Sequence, residues 1–401
     1  MTLKNCRLIP ELSGGLEITS ADIRLEAGII ADICQASATP LADGDVDCTG
    51  MTVLPGLFDL HVHLVNDREP DDIYNAFRLY HKTASELGVF LDYGVTTIRD
   101  CGSTMDLSCY LRDGVNCGLF EGPRILSGGR IISPEAMCKL DTCGIYTIAN
   151  GVEEVRKAAR HEFAVGADFI KIYSTQSMSQ VNGQDPRCIY DADEIAAMVA
   201  VAKKHNSYVA SHAHSSDAIN TCIRGGVRSI EHATYLDSES IQLFLDTPDA
   251  YAVFTHACGE LYHDGDGYND PETVKFWSTP YMIESKKRCR ALENEAYRAG
   301  VKIGFATDTD PASFSKYPYE FQIRKEACGM ENTDILLQAT KMSAEIVMLK
   351  GITGEIRKGY IADIIAVKGN PDEDLSVMYK KPVIVIKSGK VKRLFGEVWH
   401  F

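Results

Sequence analysis

No window of this 401-residue chain approaches the roughly 18 apolar residues that a membrane-spanning helix requires. Basic residues are short as well. Forty-one Lys and Arg stand against 56 Asp and Glu, a formal net charge of −15. That balance argues against nucleic acid or an anionic membrane as the partner, since both call for a basic surface. The thirteen cysteines include no C-x-x-C pair, and the opening MTLKNCRLIP has no basic segment leading into a long apolar run. Free thiols in a reducing cytoplasm are therefore expected, rather than a disulfide framework. Cys109 with Cys117, or Cys138 with Cys143, read better as small hydrophobes and surface thiols than as metal ligands. No G-x-G-x-x-G follows a strand, so a dinucleotide-binding doubly wound sheet lacks its signature.

What the sequence does hold begins at Leu54–Leu64, LPGLFDLHVHL. Side chains alternate faces along a strand, so His61 and His63 point one way and Val62 the other. Two imidazoles converging at a strand end can chelate a divalent metal. Alone, H-x-H is a weak motif, and the rest of the chain decides its meaning.

Apolar residues make up 45%, enough for a sizeable core. The first and last fifty residues read as short strands and turns, with no helical period and too little length to bury a core alone. They are expected to meet as one β-sandwich built from residues 1–54 and 351–401. Between them, over residues 55–350, strand-like and helix-like segments alternate. The strand candidates are Val53–Asp59, Thr96–Asp100, Arg124–Gly128, Phe169–Tyr173, Tyr208–Ala213, Ser229–His232, Tyr251–Thr255 and Lys302–Thr307. Helix candidates include Ile73–Tyr93, Val152–Val165, Asp191–His205, Ser215–Arg224, Pro280–Ala299 and Asp334–Leu349. Gly94, Gly166 and Gly300 are placed to end helices. Eight strands in this alternation predict an α/β fold, a TIM (β/α)8 barrel.

Active sites of such barrels lie at the C-terminal strand ends. Polar residues gather there. The first strand ends in His61 and His63, the fourth carries Lys171 within Phe169-Ile170-Lys171-Ile172-Tyr173, and the fifth ends Ser211-His212-Ala213-His214. The sixth ends Glu231-His232, and the eighth Thr307-Asp308-Thr309. A lone lysine in an apolar strand is desolvated, and an unpaired charge there costs several kcal/mol. Core packing does not explain this ordered set.

These residues carry a resemblance to the amidohydrolase superfamily, in its imidazolonepropionase-like and prolidase-like branch. The matching stretches are LPGLFDLHVHL, GVTTIRDCG (Gly94–Gly102), GADFIKIY (Gly166–Tyr173), SHAHS, GGVRSIEHATYLD (Gly225–Asp237), GFATDT and ITGEIRKGYIADIIAVKGNP (Ile352–Pro371). The resemblance implies that His61, His63 and Asp308 bind one divalent ion and that His212 and His232 bind a second. Lys171 would carry a carbamate derived from carbon dioxide that bridges two ions, zinc being the first choice. It implies a bridging hydroxide as nucleophile, with Asp308 as proton shuttle, acting on the C–N amide bond of a dipeptide or N-acyl amino acid. Relatives are often homo-oligomeric, so self-association is expected. The pattern makes His212 the ligand of its pair and leaves His214 either to face substrate or to cap the next helix. Tyr235 would reach a substrate carboxylate or oxyanion, or only pack. His256 is a further substrate-binding candidate, with His263 and Arg99 weaker ones. An Arg99–Asp100 ion pair beneath the site is also expected.

One departure concerns the loop Gly128–Thr147. Prolidase-like relatives often carry Gly-Gly-His there, and this loop has no histidine. Two rival readings follow. One is a mononuclear cyclic amidase or deaminase of the same fold, against which Lys171 argues. The other is a metal-binding scaffold without turnover, against which the full set of six site residues argues.

Overall fold

A computed structural model describes residues 1–394, apart from 19, 67–71, 135–143, 182 and 261–270. The chain forms two compact units. One comprises Met1–Asp59, Gly88–Thr97 and Tyr317–Phe401, the other Leu60–Leu87 and Ile98–Lys316.

In the first unit, strands from both ends of the chain form two four-stranded sheets. One runs Ile29–Gln35, Ala21–Glu26, Thr2–Cys6, Val46–Asp47; the other Lys390–Leu394, Ile384–Lys387, Ile364–Lys368, Met51–Pro55. Leu3, Ile23 and Val46 from the first sheet share one apolar cluster with Val53, Ile364 and Ile386 from the second. Neither sheet could bury a face alone, which is why both ends of the sequence contribute. The strand expected at Val53–Asp59 is two strands here. Met51–Pro55 pairs antiparallel with Ile364–Lys368, and a new strand starts at Leu57. The break falls at Gly56, where a Cβ would stand 2.2 Å from Thr96 Oγ1. The Thr96 side chain fills the space that a side chain at position 56 would need.

The chemistry-bearing strands are β1 (Leu57–Val62), β2 (Val95–Asp100), β3 (Arg124–Ser127), β4 (Ile131–Ser133), β5 (Tyr146–Ile148), β6 (Ile170–Tyr173), β7 (Val209–Ala213), β8 (Ser229–His232), β9 (Tyr251–Thr255) and β10 (Ile303–Ala306). Seven form a parallel sheet in the order β5-β4-β6-β7-β8-β9-β10, and β1-β2-β3 form a second sheet. Backbone hydrogen bonds continue past both ends of the larger sheet. Asp308 N donates to His61 O at 2.8 Å and His63 N to Thr309 O at 3.0 Å, while Asp168 N donates to Ser127 O at 2.7 Å. Helices α1 (Gly151–Val165), α2 (Ala192–Lys204), α3 (Ser216–Gly225), α4 (Ser238–Asp246), α5 (Pro271–Trp277) and α6 (Pro280–Ala299) alternate with these strands. Ile195, Met198, Ile219 and Ala296 from the helices pack with Ile172, Val209, Ile230 and Ile303 from the strands. The near-continuous apolar strands follow from burial on both faces.

Helix limits follow the local sequence. Thr279 caps α6 by accepting from Met282 N at 3.3 Å, Pro280 occupies its first turn, and Gly300 ends it at φ 103°. Gly166 ends α1 in the same left-handed way, at φ 107°. The helix expected over Ile73–Tyr93 is broken instead into Ile73–Glu86 and Gly88–Asp92. Gly88 sits at the break, and a Cβ there would come within 2.8 Å of the Arg393 guanidinium. Among the described residues, no helix is long and apolar enough to cross a membrane.

Candidate active site

The ends of β1, β7 and β8 bring five imidazoles together. Ring centroids lie 5.3 Å apart for His61 and His63, 4.9 Å for His61 and His232, and 4.6 Å for His232 and His212. His214 completes the group, 4.3 Å from His212 and 4.8 Å from His232. All five are buried. Each has one ring nitrogen engaged. His61 Nδ1 donates to Glu231 at 2.9 Å and His63 Nδ1 to the Gly102 carbonyl at 2.8 Å. His232 Nδ1 meets Thr255 Oγ1 at 2.8 Å, and His214 Nδ1 meets Thr234 Oγ1 at 2.7 Å. His212 is turned the other way, its Nε2 3.3 Å from the Gln176 carbonyl, which leaves Nδ1 buried without a partner. Fixing one nitrogen of a histidine orients the other as a ligand.

Asp308 follows β10 and stands 3.5 Å from His61 Nε2 and 3.4 Å from His63 Nε2. Lys171, on β6, is wholly buried, and its Nζ has no hydrogen-bond partner. It lies 5.7 Å from the centroid of the Tyr173 ring. The expected Arg99–Asp100 pair does not form. Neighbouring residues on a strand point to opposite faces, so Arg99 turns to Glu231 at 2.6 Å and to the Leu60 carbonyl at 2.6 Å. Asp100 accepts from Leu64 N and from Ser103 Oγ, both at 2.7 Å. Glu231 thus links Arg99 to His61 and holds that ring in register.

Burial sets the protonation states. It lowers the His61 imidazolium to about 4 and that of His214 to about 3, and pushes His212 and His232 well below their ordinary value. Four rings are therefore neutral near pH 7, with lone pairs to offer. Burial opposes the Asp308 carboxylate, but His61 and His63 outweigh it and hold its pKa below the usual value. His63 moves the other way. Burial lowers it, yet its bond to Asp308 raises it overall. Glu231 drops to about 2 because Arg99 and His61 overcome its burial.

Two of these residues stand on strained backbone. His232 has φ 69° and Asp308 φ 56°, in the left-handed region that non-glycine residues seldom enter. Ala233, next to His232, shares it at φ 46°. This backbone lies at the ends of β8 and β10, and the side chains of His232 and Asp308 both reach the other histidines.

A cavity of about 250 Å³ opens onto this cluster, lined by His212, His214, His232 and Asp308 at the strand tips. His256 lines it too and is held by Glu293 at 2.6 Å. The Tyr235 hydroxyl bonds Ser285 Oγ at 2.9 Å and packs near Met178 and Met282. Much of the Gly128–Thr147 loop, with Cys138 and Cys143, lies outside the described residues, as does His263. Sequence reasoning missed Phe276, Trp277, Met282 and Lys286, which wall the same cavity from α5 and α6. Their one advance sign is a tryptophan just before the Thr279-Pro280 helix start, in a chain with two tryptophans.

The donor set suits divalent ions. His61, His232 and Asp308 form one group whose ligand atoms lie within 4.8 Å of one another, and His212, His214 and His232 form another. Unpartnered nitrogens on Lys171 and His212 are what such a centre would engage. The sequence from residue 52 to 392 matches the model of the amidohydrolase family. The chain belongs to that family. Its enzymes are hydrolases of carbon–nitrogen bonds that generally bind divalent metals. This amidohydrolase is 27% identical to the ochratoxinase of Aspergillus niger over 375 residues, 86% of this chain and 75% of that one. Its fold superposes with a TM-score of 0.82 on a prolidase complexed with N-methylphosphonate-L-proline, at 28% identity and covering 97% and 98% of the two chains. A Xaa-Pro dipeptidase with methionine bound in its active site gives the same TM-score at 29% identity, with the same coverage. The prolidase-like resemblance read from the strand-end motifs is thereby borne out.

Proposed function

We propose that this amidohydrolase cleaves the amide bond of a dipeptide or an N-acyl amino acid at a centre of two divalent ions, zinc first among them. The observation that carries the reading is Lys171. A wholly buried amine without a hydrogen-bond partner is costly as a cation. Its charge acts on His61, His212, His214, His232 and Asp308 alike. Carboxylation by carbon dioxide would turn it into an anion with one oxygen for each of two ions. His61, His63 and Asp308 would hold one ion, His212 and His232 the other. Bound there, the ions would lower the pKa of water and polarise a carbonyl.

The protein's own groups do the rest. Asp308, unprotonated near neutral pH, takes the proton of the attacking water and returns it to the leaving nitrogen. Glu231 and Gly102 keep His61 and His63 in orientation through their Nδ1 atoms. His214 faces the cavity and is assigned to substrate. His256, fixed by Glu293, lines the cavity, and Tyr235, anchored on Ser285, packs against Met178 and Met282, which line it. The relatives support this substrate class, since prolidase and Xaa-Pro dipeptidase are names for enzymes of dipeptides.

The architecture proposed with it is an eight-stranded barrel over residues 55–350 and a β-sandwich from 1–54 and 351–401. Hydrogen bonds between His61, His63 and residues 308–309 support closure of the barrel. Free thiols throughout the described residues fit a cytoplasmic enzyme.

The test is a panel of Xaa-Pro, Xaa-Arg and Xaa-hydrophobic dipeptides and N-acyl amino acids beside lactams, ureas and aminated rings, with metal counted per chain. Two ions and turnover of linear amides are expected. Turnover confined to rings, with one ion, would replace this reading by the cyclic amidase or deaminase one.

A further inference from the structure

The cavity carries its histidines and Asp308 where the strands end. Met178, Phe276, Trp277 and Met282 line its other side. With Tyr235 and Tyr281 they form an apolar cluster separate from the helix-sheet core. Apolar surface facing a cavity gains free energy when a ligand's apolar group covers it. Among the described residues that line the cavity, Lys286 is the one Lys or Arg. Lys286 Nζ lies 5.7 Å from the Trp277 ring centroid and donates to the Gly259 carbonyl at 3.1 Å. Glu260 is 3.8 Å from it but is bonded by Arg290, so the ammonium keeps donors to spare. An anionic ligand group entering the cavity can pair with this ammonium.

We propose that Lys286 receives the α-carboxylate of the leaving amino acid and that Phe276, Trp277 and Met282 clasp its side chain. The enzyme then selects substrates with a large apolar residue on the amine side of the scissile bond. This rests on the amide-hydrolase reading and adds the identity of the leaving group. It also places a contact for substrate on the β9–β10 connection, in a chain whose Gly128–Thr147 loop has no histidine.

The test reads binding rather than turnover. Trp277 and Trp399 are the two tryptophans, so in a Trp399→Phe background the emission of Trp277 reports on this wall, and calorimetry with the same ligands gives the affinities independently. L-phenylalanine should bind saturably, with glycine and L-phenylalaninamide each at least ~10-fold weaker. Lys286→Met should reduce phenylalanine to the affinity of its amide, and Lys286→Arg should restore most of the loss. Equal affinity for phenylalanine and its amide would remove Lys286 from the proposal. Glycine or proline binding as tightly as phenylalanine would overturn the apolar subsite. If the protein cleaves small-residue dipeptides yet shows none of these responses, this inference fails and the hydrolase reading stands. If phenylalanine binds as described and no amide is cleaved, the hydrolase reading fails, and with it the leaving-group role, and only an amino-acid-binding pocket remains.

Discussion

At one end the cavity is walled by residues that terminate parallel strands, His212, His232 and Asp308 among them; at the other by residues of α5 and α6, Trp277 and Lys286. His212 and His232 are buried and each is bonded by a neighbour, as Thr255 bonds His232, and Asp308, partly exposed, is held between His61 and His63. Trp277 and Lys286 are partly exposed, and Lys286 is met by the Gly259 carbonyl, the Glu260 carboxylate and the Trp277 ring. Rigid strand ends suit chemistry, which tolerates little displacement. Flexible side chains on helices suit selection among ligands, where adjusting costs less. The two ends should therefore fail differently when altered.

The largest effect is expected at Lys171. Lys171→Ala should abolish turnover, by at least ~1,000-fold in kcat/KM, and elemental analysis should show most metal gone. Two tightly bound ions in that variant would sink the bridging role. Asp308→Asn comes next, lowering kcat at least ~100-fold while leaving KM nearly unchanged. Metal occupancy must be measured alongside, and full occupancy with near-normal kcat would remove Asp308 from the mechanism. His214→Ala sharpens the comparison, because this ring sits among the ligands but is assigned to substrate. Metal content should hold while kcat/KM falls ~10- to 100-fold; loss of one ion would make His214 a ligand instead. At the helical end, Lys286→Met should raise KM ~10-fold for an apolar leaving residue and leave kcat close to normal. A drop in kcat of the Asp308→Asn kind would erase the distinction between the two ends.

The smallest effect concerns stability, away from both ends. Glu162 is buried and near Asp106, and these raise its carboxyl from 4.5 to about 7, although Thr147 and Arg130 N donate to it. The folded protein thus holds a proton that the unfolded chain has already lost. Its contribution to stability is full below pH 4.5 and is lost as pH rises toward 7. Thermal melts of Glu162→Gln across pH ~4–8 should show a shallower decline between those values than the parent, and an unchanged slope would mean another group is responsible.

The same contrast explains what could be read beforehand. His61, His63, Lys171, His232 and Asp308 break otherwise apolar strands, so each is conspicuous against its neighbours, and the alternation of strand and helix places them at one edge. Trp277 and Lys286 sit on helices whose polar and apolar residues mix in any case, so nothing local marks which of them face a cavity. Sequence also could not show that Arg99 prefers Glu231, 132 residues away, to its neighbour Asp100. That choice depends on which strands lie side by side. Nor could it show why position 56 is glycine, since the side chain that fills the space there, Thr96, belongs to another strand.

The left-handed backbone at His232 and Asp308 bears on how this enzyme can change over generations. Most residues placed at such an angle cost about 1–2 kcal/mol, whereas glycine and, less fully, asparagine accept it. A lineage losing the need for the reaction would find glycine or asparagine the mildest replacements at these two positions. Most other replacements forfeit the chemistry and retain the strain. The geometry that aims the two side chains thus also narrows the routes by which the site can decay without destabilising the protein around it.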